Sequence, residues 1–169
     1  MKRGLVWAAA LLLLFLVLAL LYGEDLAEKA QVGKAAPPVT LPSLEGAVQT
    51  YPQGGRWVLL NFFASWCDPC REEIPLLQSL QDEFPQTLLV VGIAWRDGQK
   101  EVASFVEELQ VRYPVLRDGE GKAGRQYGLT GVPESWLIDP EGVAVLHIRG
   151  PVTSQTEEEI RRFLKGDQP

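Results

Sequence analysis

The hydrophobic positions of the chain form one long unbroken run, followed by short runs that alternate with amphipathic stretches. The unbroken run covers residues 5–21, and Lys2 and Arg3 precede it. Its 17 apolar residues are at the lower end of what spans a hydrocarbon core of roughly 30 Å. Because no Ala-x-Ala site follows, the pattern favours an uncleaved anchor over a cleaved signal peptide. We predict a single transmembrane helix over residues 1–23, with the rest of the chain outside the cytoplasm.

Beyond this segment the pattern predicts a tether and one domain. Residues 24–38 are polar and then proline-rich, and residues 39–165 carry the periodic runs of a folded unit. Residues 57–63 are almost wholly apolar, which is typical of a strand in the middle of a sheet. A helix is predicted from Asp68 to Glu83, with its apolar side chains on one face and a bend at Pro75.

The remaining elements alternate in type along the chain. They are predicted as a strand at 87–94, a helix at 99–109, a strand at 115–116, a helix at 123–127, an antiparallel hairpin of 135–138 and 143–149, and a helix that begins at Ser154 in a capping box with Glu157. This order predicts an α/β fold in which a central mixed sheet is flanked by helices on both faces.

The only two cysteines, Cys67 and Cys70, lie between the most buried predicted strand and its helix. At the start of a helix, free backbone N–H groups and the positive end of the dipole stabilise a thiolate on Cys67. Cys70 lies one turn later, within reach of a disulfide bond. Cys67 would therefore attack a partner disulfide, and Cys70 would resolve the mixed disulfide.

Two other readings of the cysteine pair are open from the residues alone. A structural disulfide is one, although closing so short a loop removes little chain entropy. A zinc site is the other, although it would need further ligands, and the single histidine, His147, is distant in sequence. The formal net charge of −6 argues against a nucleic-acid partner, because phosphate binding needs a basic face.

The two residues between the cysteines favour a reductant. Pro69 has no N–H to offer the sulfur, and an ionised Asp68 opposes the Cys67 thiolate by like charge. Arg71 acts in the opposite direction. A strong oxidant would need a heavily stabilised thiolate, so we expect a reducing pair.

Several motifs together resemble a known family. They are the Trp-Cys-Asp-Pro-Cys of residues 66–70, Pro75, the Gly-Val-Pro of residues 131–133, and the segments 127–139 and 147–151. The chain resembles thioredoxin-fold proteins of the TlpA/ResA type, and more closely the DsbE/CcmG group of cytochrome c maturation, over about residues 33–165. The resemblance implies a thioredoxin-like domain, preceded here by the predicted anchor.

The resemblance also implies roles for individual residues. Pro133 matches the cis-proline that lies against the active-site disulfide, and Trp66 matches a residue that flanks it. Asp97 and Glu134 match positions where relatives keep acidic residues near the cysteines. Where cytoplasmic thioredoxins have a buried aspartate this chain has Asn61, so either another carboxylate, with Asp97 and Glu134 as the candidates, or water is expected to assist the deprotonation of Cys70.

The resemblance implies partners and a location as well. The electron donor would be a thiol-transferring membrane protein of the CcdA/DsbD type, and the acceptor would be the oxidised Cys-x-x-Cys-His segment of an apocytochrome c or an assembly factor. No cofactor is implied. The chain would cross the bacterial cytoplasmic membrane once and place its catalytic domain on the periplasmic side.

Three alternative functions are weighed beside this one. A general extracytoplasmic reductase would have the same site without a cytochrome target. A thiol peroxidase would use a hydroxyl and an arginine near one cysteine, for which Ser65 and Arg71 are the candidates. A copper chaperone of the Sco type would use a distal histidine, but the cysteine spacing here is shorter and His147 falls in a predicted strand.

Overall fold

The computed structural model describes residue 7, residues 11–18 and residues 29–166. Residues 11–18 are helical with exposed side chains. Within the described ranges no helix combines the length and the apolar character required to cross a membrane. Most of the predicted anchor at 1–23, and residues 24–28 of the predicted tether, lie outside the described residues.

The domain is built on a mixed five-stranded sheet with the order β5-β4-β3-β6-β7. Strands β3, β4 and β5 are mutually parallel, whereas β6 is antiparallel to both of its neighbours, β3 and β7. The strands are β1 Val39–Pro42, β2 Val48–Tyr51, β3 Trp57–Phe63, β4 Leu88–Trp95, β5 Val115–Asp118, β6 Glu134–Ile138 and β7 Ala144–Arg149. The helices are α1 Asp68–Glu83, α2 Gln99–Glu108, α3 Lys122–Gln126 and α4 Ser154–Lys165.

Helices cover both faces of this sheet, so the predicted architecture is confirmed. Helices α1, α2 and α4 pack on one face, in a core that includes both cysteines. The short helix α3 and the hairpin of β1 and β2 cover the other face. Strand β3 lies in the centre with β4 and β6 on either side, which explains why its sequence is apolar almost throughout. Helix α1 continues through Pro75 as a single element.

The capping box of the last helix is one residue from its predicted position. Thr153 is the N-cap, and its side chain accepts a hydrogen bond from the Thr156 N–H. The Thr156 hydroxyl in turn accepts from the Thr153 N–H at 2.8 Å. The predicted pairing of Ser154 with Glu157 was wrong because a threonine hydroxyl at the third helical position can take the part usually played by a glutamate.

Two features before β3 were not predicted. Strands β1 and β2 form a hairpin, which is attached to the central sheet through a bridge between Ser43 and Leu116. Residues 30–36, part of the predicted tether, are hydrogen-bonded through their backbone to α3 and to β7 with the turn before it. The Tyr127 hydroxyl also donates to the Pro37 carbonyl at 2.7 Å. The ordered domain therefore begins before residue 39.

Candidate active site around Cys67 and Cys70

The two cysteines form a disulfide at the junction of β3 and α1. Cys67 is the N-cap of α1, and its Sγ accepts a hydrogen bond from the Cys70 N–H at 3.3 Å. Their Cα atoms are 5.3 Å apart. Cys67 is 6% exposed and Cys70 is fully buried. Of the two sulfurs, Cys67 is thus the one nearer to solvent, as an attacking thiolate must be.

The residues that flank the disulfide are largely exposed. Trp66 is 62% exposed, so its ring is a surface feature beside Cys67 and does not pack in the core. Asp68 and Pro69 occupy the first turn of α1 and are also exposed. This arrangement leaves an apolar ring and a carboxylate next to the reactive sulfur.

Asp97 holds the segment that leads into the cysteine turn. Its carboxylate accepts hydrogen bonds from the Ser65 N–H, from the Ser65 hydroxyl at 3.1 Å and from the Gly98 N–H at 2.8 Å. The structure therefore joins the end of β4 to the residues just before Cys67. Asp97 positions this turn through Ser65.

Glu134 holds the loop that precedes β6, in which the Val132–Pro133 peptide bond is cis. One carboxylate oxygen accepts from the Thr130 N–H at 2.8 Å, the Thr130 hydroxyl at 2.7 Å and the Gly131 N–H at 3.2 Å. The other lies 2.7 Å from His147 Nε2. Burial opposes the ionisation of Glu134, but these hydrogen bonds outweigh it and lower the pKa of the carboxyl.

A buried carboxylate that the sequence analysis missed lies on the same helix as Cys70. Glu73 is 1% exposed and follows Cys70 by three residues, which puts both on one face of α1. Its carboxylate accepts from Asn61 Nδ2 at 2.8 Å and from the Val152 N–H at 2.6 Å. Burial raises the pKa of Glu73 to about 7, although both hydrogen bonds act against the rise.

The position of Glu73 changes the interpretation of Asn61. The expected buried proton acceptor is absent from β3, but Asn61 instead fixes a carboxylate that α1 supplies. Asp97 and Glu134 are bonded to the two flanking loops. Glu73 is therefore a third candidate for assisting Cys70, and its signal was available in the sequence as a charged residue on the apolar face of α1.

The chain is similar to known thiol-disulfide proteins over most of its length. A model of the AhpC/TSA family matches residues 32–147. The thiol-disulfide oxidoreductase ResA of Bacillus thuringiensis subsp. konkukian (strain 97-27) is 31% identical over 144 residues, which cover 84% of this chain and 82% of ResA. The thiol:disulfide interchange protein DsbE of Escherichia coli (strain K12) is 34% identical over 176 residues, which cover 95% of this chain and 94% of DsbE.

Solved structures agree with these sequence relationships. A Chlorobium tepidum protein described as a thiol:disulfide interchange protein DsbE superposes with a TM-score of 0.74 at 28% identity, over 81% of this chain and 98% of that chain. The chain therefore belongs to the AhpC/TSA family of thioredoxin-like proteins and, within it, to the thiol-disulfide oxidoreductases of the TlpA/ResA/DsbE group.

Proposed function

We propose that this oxidoreductase is a reductant that acts outside the cytoplasm on the oxidised Cys-x-x-Cys-His segment of an apocytochrome c, or on an assembly factor bound to it. The observation that carries the reducing direction is the environment of Cys67 Sγ. Its hydrogen bond comes from the Cys70 N–H, Pro69 has no N–H to add, and the exposed Asp68 lies beside it. A thiolate with so little support makes the dithiol form a good electron donor.

The chemical steps follow from the order of burial. The Cys67 thiolate attacks one sulfur of the partner disulfide, and the other partner sulfur leaves as a thiolate. The Cys70 thiol then gives its proton to ionised Glu73 and attacks Cys67 Sγ, which releases the second partner thiolate. Two electrons pass to the partner, and the Cys67–Cys70 disulfide remains. Because the pKa of Glu73 is about 7, a large fraction of it is ionised near neutral pH and can accept this proton.

A reductant outside the cytoplasm must be reduced again after each cycle. We propose that a membrane thiol transporter of the CcdA/DsbD type supplies the electrons, and that residues 1–23 keep the chain in the bacterial cytoplasmic membrane with its domain on the periplasmic side. The apolar run that follows Lys2 and Arg3 supports this placement. Protease treatment of intact spheroplasts tests it, since only a domain outside the cytoplasm would be degraded.

The reduction potential of the Cys67–Cys70 couple tests the direction of transfer. The purified full chain would be equilibrated with dithiothreitol or glutathione buffers, and the reduced fraction would be measured by thiol alkylation and mass spectrometry. We expect a value closer to the roughly −270 mV of thioredoxin than to the roughly −120 mV of a strong oxidant. A value near the second figure would overturn the reductant assignment.

The cytochrome target needs a separate experiment. A synthetic peptide that contains an oxidised Cys-x-x-Cys-His segment should be reduced faster than one in which the histidine is replaced by alanine. A strain that lacks the protein should lose holocytochrome c, and normal levels would favour a general extracytoplasmic reductase. Peroxide consumption and copper titration of the purified chain test the peroxidase and copper-chaperone alternatives, both of which we expect to be negative.

A further inference from the structure

One side chain accepts three hydrogen bonds from the loop that precedes β6. In residues 130–134, here named the clamp loop, two backbone N–H groups and one hydroxyl converge on one oxygen of Glu134. The Gly150 N–H, just after β7, also donates to the Pro133 carbonyl at 3.0 Å. The clamp loop is therefore held by Glu134, the first residue of β6, and by Gly150, just after β7.

The clamp loop lies beside the reactive cysteines. Strand β6 is antiparallel to β3 and begins opposite Phe62, so the loop lies at the end of the sheet where the turn to Cys67 starts. Val132 packs against the core cluster that contains Cys67 and Cys70. A displacement of this loop would change the surface that a partner disulfide meets when it approaches Cys67.

The second oxygen of Glu134 is bound by His147 on β7. His147 Nε2 lies 2.7 Å from this oxygen, and the side chains of His147 and Glu134 are 10% and 3% exposed, respectively. The imidazole is stacked on the Trp136 ring at a centroid distance of 3.9 Å and an interplanar angle of 13°. A carboxylate that is nearly sealed from water needs protein donors on both oxygens, and His147 supplies the donor on this side.

We propose that His147 is a positioning residue for disulfide exchange, which acts by holding the Glu134 carboxylate in the ionised form and orientation that secure the clamp loop beside Cys67. Without the imidazole N–H, one carboxylate oxygen is buried without a partner. The carboxylate then rotates towards water or takes up a proton, and in either case the hydrogen bonds from Thr130 and Gly131 weaken.

Two substitutions separate the hydrogen bond from the packing of the ring. H147F keeps a flat ring on Trp136 but removes the donor, whereas H147Q loses the stacking but keeps an N–H near the position of Nε2. The assay is the reduction of insulin by the purified full chain. In parallel, the rate at which dithiothreitol reduces the Cys67–Cys70 disulfide reports reactivity towards a small thiol that does not need the clamp loop.

We expect H147F to reduce insulin about tenfold more slowly, the size of effect that corresponds to losing one hydrogen bond to a charged group. Its reaction with dithiothreitol should change less than about twofold, and H147Q should recover most of the insulin rate. Wild-type insulin rates in H147F, or a loss of the same size with both reagents and in both variants, would overturn the proposal.

A variant on the exposed end of the loop keeps the test decisive if H147F does not fold. T130V removes the hydroxyl that donates to the same carboxylate while its side chain stays at the surface. The same selective loss with insulin is expected, although smaller because the two backbone donors remain. An unchanged insulin rate in T130V would then contradict the proposal. Insulin is not a cytochrome, so these outcomes are independent of the target proposed above.

Discussion

The amide of Asn61 donates a hydrogen bond of 2.8 Å to the carboxylate of Glu73, and both side chains are buried between β3 and α1. The same amide donates to the Ser135 hydroxyl at 3.0 Å, so three elements meet at this point. A carboxylate with a pKa of about 7 changes its charge inside the core near neutral pH. Stability and catalysis should both depend on its protonation.

The first prediction concerns stability. Between pH 4.5 and about 7 the folded chain binds a proton at Glu73 that the unfolded chain has released, so stability falls as pH rises through this window. Protonated Glu73 thus contributes about 3 kcal/mol to the unfolding free energy, which is present in full below pH 4.5 and is lost as pH rises through about 7. The glutamine of E73Q does not titrate. The unfolding free energy of the wild type should therefore fall, relative to that of E73Q, as pH rises from 4.5 to about 7. Urea unfolding at a series of pH values measures both, and parallel curves would contradict the assignment.

The second prediction concerns the release of the mixed disulfide. Without the Glu73 carboxylate, the Cys70 proton loses the buried acceptor that we propose for it on α1, and resolution should slow roughly 100-fold. Acid quenching followed by mass spectrometry should therefore trap more of the adduct between Cys67 and a cystine peptide in E73Q. E72Q is the matched control, because Glu72 is the exposed neighbour on the same helix. Equal adduct levels in the two variants would exclude this role.

The third prediction concerns Asp97. Replacing it with alanine removes the acceptor for the Ser65 backbone and hydroxyl and for the Gly98 N–H. We expect D97A to lower the unfolding free energy by about 1–2 kcal/mol, and to change the rate at which iodoacetamide alkylates Cys67. D82A is the control, since Asp82 forms an exposed ion pair with Arg112. An alkylation rate that stays at the wild-type value would show that Asp97 does not hold the cysteine turn.

The fourth prediction concerns the residues between the cysteines. The double substitution D68N/P69A removes a negative charge beside Cys67 and adds an N–H at the start of α1. Both changes stabilise the thiolate, so the reduction potential should become less negative by about 30 mV, which corresponds to about 1.4 kcal/mol. E72Q, which removes a charge one turn further along, should shift the potential less. A shift towards more negative values would contradict the account of why this pair is reducing.

The sequence predicts those parts of the fold whose pattern is set by burial. Strand β3 and helix α1 are observed at their predicted bounds, because one is an unbroken apolar run and the other has a clear apolar face. The β1–β2 hairpin was missed because its strands have only four residues each, of which just one per strand is fully buried. The hairpin is held to the domain by a bridge to β5 and by the packing of Val39 and Tyr51 in the core, and such contacts between distant residues leave no local signal.

In the candidate site too, local motifs are visible in the sequence and long-range contacts are not. The cysteine motif and its place between strand and helix are visible in the sequence, and so is the proline of residue 133. The partners of Asp97 and Glu134 are not visible, because the first bonds across 32 residues and the second depends on the path of a loop. Glu73 was missed because the carboxylate expected at position 61 of β3 is supplied by the facing helix, 12 residues further along the chain.

The last prediction separates the surface around the disulfide from its chemistry. Trp66 is 62% exposed, so replacing it with alanine should change the unfolding free energy by less than about 0.5 kcal/mol. An exposed tryptophan beside a reactive sulfur is suited to bury itself against a partner, and such anchors contribute about 2 kcal/mol or more to binding. W66A should therefore reduce a protein disulfide such as insulin roughly 30-fold more slowly. Dithiothreitol should reduce the Cys67–Cys70 disulfide of W66A at the wild-type rate. V48A, at a site 70% exposed on β2, is the matched control and should affect neither reaction. If W66A reduced insulin as fast as the wild-type chain, the indole would not be part of the docking surface, and partner contacts would then have to come from the clamp loop.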